Sequence, residues 1–249
     1  MPITQPQPRF EYKYRIDEEV ASHVDRVACF HLEPDSHSRD GEYMVNSLYF
    51  DTPNDRDAQE TDEGVILRSK VRLRCYHTMP EAPFFLELKQ RYGSSIYKTR
   101  APLEPEDAER VSCGQAPVTA YRTRDEMKAL DMIREVIDRR EMRPRAWVKY
   151  TRRAFTSPWG DGARMTFDRS LETQALDEDA PLSPPSHSWS FPELDERVVL
   201  ELKFQGGAPR WMQRLVEDVN LNRTSCSKYG ICVSSIGGHT LLPRLAVAS

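Results

Sequence analysis

Long apolar runs, paired cysteines and a surplus of positive charge are all missing from this 249-residue chain. No stretch approaches the ~18–20 apolar residues that a membrane-spanning helix needs, so the chain is not expected to insert in a bilayer. The opening residues, Met1-Pro2-Ile3-Thr4-Gln5-Pro6, form neither a basic n-region nor an apolar h-region, and no signal peptide is read there. The five cysteines are an odd number with no C-x-x-C spacing. They argue for reduced thiols in a cytoplasmic protein and against a disulfide frame or a zinc site. A net charge of -4 speaks against a generally basic nucleic-acid binder. Lysine is scarce, with eight residues against 27 arginines. Arginine is the fork-shaped donor that grips phosphate oxygens two at a time, although composition alone does not give it that task.

What is present suffices for a core. The hydrophobic set makes up 39% and charged residues 30%, so wholesale disorder is excluded as an expectation. The length suits one large domain or two small ones. There is no internal repeat. The stretch 177–192, with Pro181, Pro184, Pro185 and Pro192 among Ser, His and Asp, reads as an irregular loop. The same pattern flanks it on both sides, so a single domain over 1–249 is expected, its core at about 9–235.

That pattern is short strands of period two. Residues 9–15 put Arg9, Glu11, Lys13 and Arg15 on one face and Phe10, Tyr12 and Tyr14 on the other. Further strands are read at 45–51, 68–76, 84–90, 96–103, 145–155, 164–169 and 198–204. Arg68, Lys70, Arg72 and Arg74 share a face in one of them. Glu87 and Lys89, Lys98 and Arg100, Tyr150 and Arg152, Arg164 with Thr166 and Asp168, and Glu201 with Lys203 share faces in others. Helices are expected at 17–29, capped by Asp17, at 125–140, with Met127, Leu130, Ile133, Val136 and Ile137 at helical spacing, and at 209–221, behind Pro209.

An ordinary antiparallel sheet turns its charged face to water. Here those faces are mostly cationic, and like charges in register repel by about 1 kcal/mol per pair at 4 Å even in water. The opposite faces are apolar enough to lie under helices. A barrel with its helices outside turns the cations inward, where an anion must balance them. A chain of phosphates suits such a lumen. Nucleic acid suits it less, because few aromatics share the cationic faces.

At these residues the sequence resembles the VTC domain, the polyphosphate polymerase domain of the vacuolar transporter chaperone family, which belongs to the triphosphate tunnel metalloenzymes. The matching segments run in order from Phe10-Glu11-Tyr12-Lys13-Tyr14 through Val71-Arg72-Leu73-Arg74-Cys75-Tyr76, Leu86-Glu87-Leu88-Lys89 and Tyr97-Lys98-Thr99-Arg100. They continue through Tyr150-Thr151-Arg152, Arg164-Met165-Thr166-Phe167-Asp168 and Leu200-Glu201-Leu202-Lys203 to Ser227-Lys228-Tyr229. The resemblance implies an α+β, mainly β fold: a closed eight-stranded antiparallel tunnel barrel with helices packed outside. It implies catalytic roles for Arg72, Arg74, Lys89, Arg152 and Arg164. It implies substrate binding by Lys13, Lys98, Tyr150, Ser227 and Lys228, and a metal, Mn2+ or Mg2+, on Glu201. Glu87 is a second-tier candidate. Where many tunnel enzymes open with E-x-E-x-K, this chain has Arg9, Glu11 and Lys13, which fits the VTC branch better than the triphosphatase or cyclase branches.

The expected reaction moves the γ-phosphoryl group of ATP onto a polyphosphate chain. A triphosphate or nucleotide phosphohydrolase would use the same lumen with water as acceptor, and a binding module would hold polyphosphate without turnover. The expected ligands are ATP and polyphosphate or inorganic triphosphate, with no nucleic acid; a membrane protein as partner stays open.

Overall fold

The computed structural model describes residues 9–38, 41–76, 83–93, 95–118, 123–176 and 197–236, and the proline-rich stretch 177–192 lies outside them. In chain order the elements are β1 (Arg9–Ile16), α1 (Glu18–His31), β2 (Glu33–Pro34), β3 (Tyr43–Asp51), α2 (Arg56–Asp62), β4 (Leu67–Cys75), β5 (Phe84–Tyr92), β6 (Ser95–Leu103), α3 (Pro105–Ser112), α4 (Arg124–Arg140), β7 (Arg143–Thr156), β8 (Arg164–Ala175), β9 (Val198–Gln205), α5 (Arg210–Asp218) and α6 (Lys228–Ser235). The eight strands expected from alternation are all present, and the two-residue β2, paired with β7, is a ninth.

The helix ends follow their capping residues. Asp17 accepts from Val20 N at 2.8 Å and starts α1, with Glu18 and Glu19 in its first turn. Thr123 and Glu126 close a reciprocal capping box at the start of α4. The short helices α2, α3 and α6 were not expected from periodicity. Each has at most eight residues, about two turns, too few for an apolar stripe to repeat.

Helix α4 buries Leu130, Ile133 and Val136, but Met127, expected on the same buried face, is 50% exposed. Met127 sits in the first turn, before the packed stretch begins. Ile133→Ala should therefore lower stability by about 2–5 kcal/mol in chemical denaturation. Met127→Ala should stay within about 0.5 kcal/mol of wild type.

The sheet is antiparallel throughout, in the order β1-β9-β8-β7-β3-β4-β5-β6. In a flat sheet six strand spacings would separate β1 from β5 by ~29 Å. Yet Lys89 Nζ of β5 lies 3.4 Å from Glu11 Oε2 of β1. The sheet therefore curls until side chains from its two ends meet. It does not close as the expected barrel does, because no ladder joins β1 to β6 among the described residues. The outer edge of β1 is already engaged: Thr224 N donates to Lys13 O at 2.9 Å, and Tyr14 bridges Arg223. Pro102 removes one donor from β6.

Alternation then sorts the two faces. Outside, Val71, Leu73, Leu86 and Leu88 pack with Leu130 and Ile133 of α4, and Tyr14, Leu200, Leu202 and Phe167 pack with α1 and α5. Inside, the charged residues of β1, β4, β5, β8 and β9 look across at one another. The inner face is not charged everywhere. Tyr43, Val45 and Tyr49 of β3 and Val148 and Tyr150 of β7 form an apolar floor, and α6 packs on it through Tyr229, Cys232 and Val233.

Candidate functional site

Two carboxylates organise the inner face. Glu87 on β5 is almost fully buried and gathers Arg72 at 2.7 Å, Lys98 at 2.7 Å, Arg100 at 3.3 Å and Arg74 at 4.0 Å. The register explains this, since Arg72 and Arg100 stand directly opposite Glu87 on the two flanking strands. Burial pushes the Glu87 carboxyl up, but Arg72, Arg74 and Lys98 together hold it far below the usual carboxylate range. Arg72 also donates to Tyr49 OH at 3.0 Å, and Arg74 to Tyr150 OH at 3.2 Å.

The second hub is Glu201 on β9. Lys203 lies 2.6 Å away, Lys228 2.9 Å, Lys13 3.5 Å and Arg152 3.9 Å. Arg152 grips Asp168 with both arms of its fork, at 2.6 and 2.7 Å, and Lys228 also pairs with Asp168. Burial pushes Glu201 up, and the surrounding Lys203, Lys228, Lys13 and Arg152 overcome it and hold the carboxylate ionised. Burial lowers Lys13 and Lys228, but their carboxylate neighbours raise both above the ordinary lysine value.

Between the hubs lies Glu11, paired with Lys13 at 3.3 Å and Lys89 at 3.4 Å. Lys89 is poorly compensated. Burial, and then the ammonium groups of Lys13 and Lys203, outweigh Glu11 and push it down to about 8.

The nominated residues fall into one constellation with one outlier. Arg72, Arg74 and Lys98 surround Glu87, while Lys13, Arg152 and Lys228 surround Glu201. Tyr150 lies beneath Arg152 and Lys228, each 5.2 Å from its ring centre. Ser227 caps α6 by accepting from Gly230 N at 3.1 Å. Arg164 stands apart, paired with Asp35 at 2.7 Å and one-third exposed. Lys203, Asp168 and Asp35 were not nominated. Lys203 carried a signal, being two residues from Glu201 on one strand face, and Asp35 carried none.

Glu201 was expected to hold Mn2+ or Mg2+. The donor set does not fit a cation held there by the protein. Both oxygens of Glu201 lie within ion-pair distance of cationic groups. No three His, Cys, Asp or Glu side chains form a ligand group among the described residues. A divalent ion would have to displace at least the lysines, whose charges oppose it.

Comparison with known proteins bears on the family and the fold. The family model for the VTC domain matches residues 8–236. Among solved structures, a candidate adenylate cyclase from Bacillus halodurans superposes with a TM-score of 0.52 at 13% identity, over 90% of this chain and 94% of that one. A candidate adenylyl cyclase from Hippeastrum, described as having a dominant triphosphatase activity, gives a TM-score of 0.47 at 15% identity, over 92% of this chain and 96% of that one. At 13% identity the Bacillus likeness speaks to the fold alone. No curated protein matches.

Proposed function

The chain belongs to the VTC domain family, and from that premise we propose that it is a phosphotransferase extending a polyphosphate chain with the γ-phosphoryl group of ATP. One observation carries the reading. On an inner face enclosed by the curl of the sheet, cations outnumber carboxylates about two to one and converge from β1, β4, β5, β6, β7, β9 and α6. A surface built only for stability would balance its buried charges, because uncompensated ones are costly.

Phosphoryl transfer asks the protein for alignment and charge neutralisation more than for covalent chemistry. A terminal oxygen of the polyphosphate attacks the γ-phosphorus, a new P–O–P linkage forms, the bond to the β-phosphate oxygen breaks, and ADP leaves. The attacking oxygen is already anionic, so no general base is needed. Arg72, Arg74 and Arg152 suit the charge spread over the equatorial oxygens, since their forks are pre-aimed by Glu87, Tyr150 and Asp168. Lys13, Lys89, Lys98 and Lys228 supply point charges along the chain. Ser227 and Arg164 contribute at the α6 end and at the rim. No step is assigned to a metal on Glu201.

Incubation with ATP, with and without Mn2+ or Mg2+, followed by sizing of the phosphate products on a gel, tests this. Long chains support it. Orthophosphate alone would mean hydrolysis, and no ATP consumption would mean a binding module.

The depressed Lys89 gives a pH signature. It carries its charge below about 8 and loses it above, while Glu11 and Glu201, which face it, stay ionised. Triphosphate affinity should therefore fall as pH rises from 7 to 9. The ligand-free protein should gain stability over roughly pH 8–10.5, where the unfolded chain binds the proton that the fold has released. Calorimetric titration and thermal melts across that range check both signs.

A further inference from the structure

The register of β4, β5 and β6 sets Lys70 opposite Lys89, and Lys89 opposite Lys98. Like charges directly opposite one another destabilise a sheet. The next rung shows the balanced alternative, with Arg72 opposite Glu87 and Glu87 opposite Arg100. Two members of the lysine rung have carboxylates, Glu11 for Lys89 and Glu87 for Lys98. Lys70 has no carboxylate within ion-pair distance among the described residues. Its Nζ donates instead to Ser227 Oγ at 2.7 Å, at the cap of α6, and lies 6.0 Å from the centre of the Tyr229 ring. Burial, and then the nearby Lys13 and Lys89, push Lys70 well below the ordinary lysine value, with Asp57 a weaker opposing influence.

An ammonium half-buried beside other ammonium groups and offset by no carboxylate contact costs stability. We propose that Lys70 seats one phosphate group of a condensed phosphate chain, at the junction of β4 with the start of α6. Through the rung it shares with Lys89 and Lys98, it selects such chains over orthophosphate. The rung crosses two strand spacings, about 10 Å, which a chain of phosphates spans and a single phosphate does not. This rests on the phosphate-chain reading above. It adds a residue that lies outside the nominated set but on the same period-two face as Arg72 and Arg74.

The test compares wild type, Lys70→Met and Lys70→Arg by calorimetric titration with inorganic triphosphate and with orthophosphate, alongside ligand-free melts. Lys70→Met should melt no lower than wild type, bind triphosphate about tenfold more weakly and lose most of its preference over orthophosphate. Lys70→Arg should keep most of both. A Lys70→Met protein that melts well below wild type would make Lys70 a structural residue and overturn the proposal, as would unchanged triphosphate affinity. If wild type itself binds no triphosphate, the underlying reading falls. If wild type binds and Lys70→Met binds equally, only the role of Lys70 falls.

Discussion

Glu201→Gln should melt roughly 10 °C below wild type without ligand, and inorganic triphosphate should restore most of that loss. The buried carboxylate holds Lys203, Lys228, Lys13 and Arg152 within 4 Å. Removing one partner of a buried ion pair costs about 3–5 kcal/mol, because the others are left uncompensated. For a chain of this size each kcal/mol shifts the melting temperature by about 2–4 °C. Glu201 ionises in the fold far more readily than in the unfolded chain, so its contribution is fully present at neutral pH and fades on acidification below the ordinary carboxylate range. Triphosphate supplies the missing negative charge, so its stabilising effect should be larger in the variant than in wild type. A Glu201 that served chiefly to hold a metal would give the opposite result: metal–triphosphate would bind the variant more weakly.

Arg72→Ala should weaken triphosphate binding by about 10- to 100-fold while leaving the fold largely intact. A hydrogen bond to a charged group is worth about 1.5–3 kcal/mol, and each 1.4 kcal/mol is a factor of ten. The fold tolerates the loss because Glu87 keeps Lys98 at 2.7 Å, Arg100 at 3.3 Å and Arg74 at 4.0 Å. Arg72→Lys should recover only part of the affinity, since the ammonium cannot reproduce the fork that Glu87 and Tyr49 aim. Calorimetric titration of the three proteins measures both effects. Equal affinities would place Arg72 outside the phosphate path.

The strands were legible because period two is a local property. Residues 200–204 alternate apolar and charged behind Val198 and Val199, and the expected strand 198–204 falls within a residue of β9. The cations of the site were legible for the same reason, as they repeat along one face of β4 and of β6. Their partners were not. Lys228 meets Asp168 and Glu201, and Lys89 meets Glu11, across long stretches of chain that no periodicity connects. The reading of an inner face crowded with cations therefore missed how far carboxylates organise it. It also missed the apolar floor under α6, because an eight-residue helix carrying Lys228, Tyr229 and Gly230 shows no stripe. Barrel closure failed for a related reason. The segment that occupies the edge of β1, at Arg223 and Thr224, lies about 210 residues further along the chain.

The central claim is that the enclosed inner face is a seat for a chain of phosphates. Calorimetric titration of the wild-type protein with inorganic triphosphate, repeated at several salt concentrations, measures it most directly. Saturable binding at one site per chain is predicted, weakening steeply as salt rises and absent for an uncharged analogue of similar size. At about one hundred times the dissociation constant the ligand should stabilise the fold by about 2.7 kcal/mol. No heat of binding and no thermal shift at millimolar triphosphate in low salt would contradict the account.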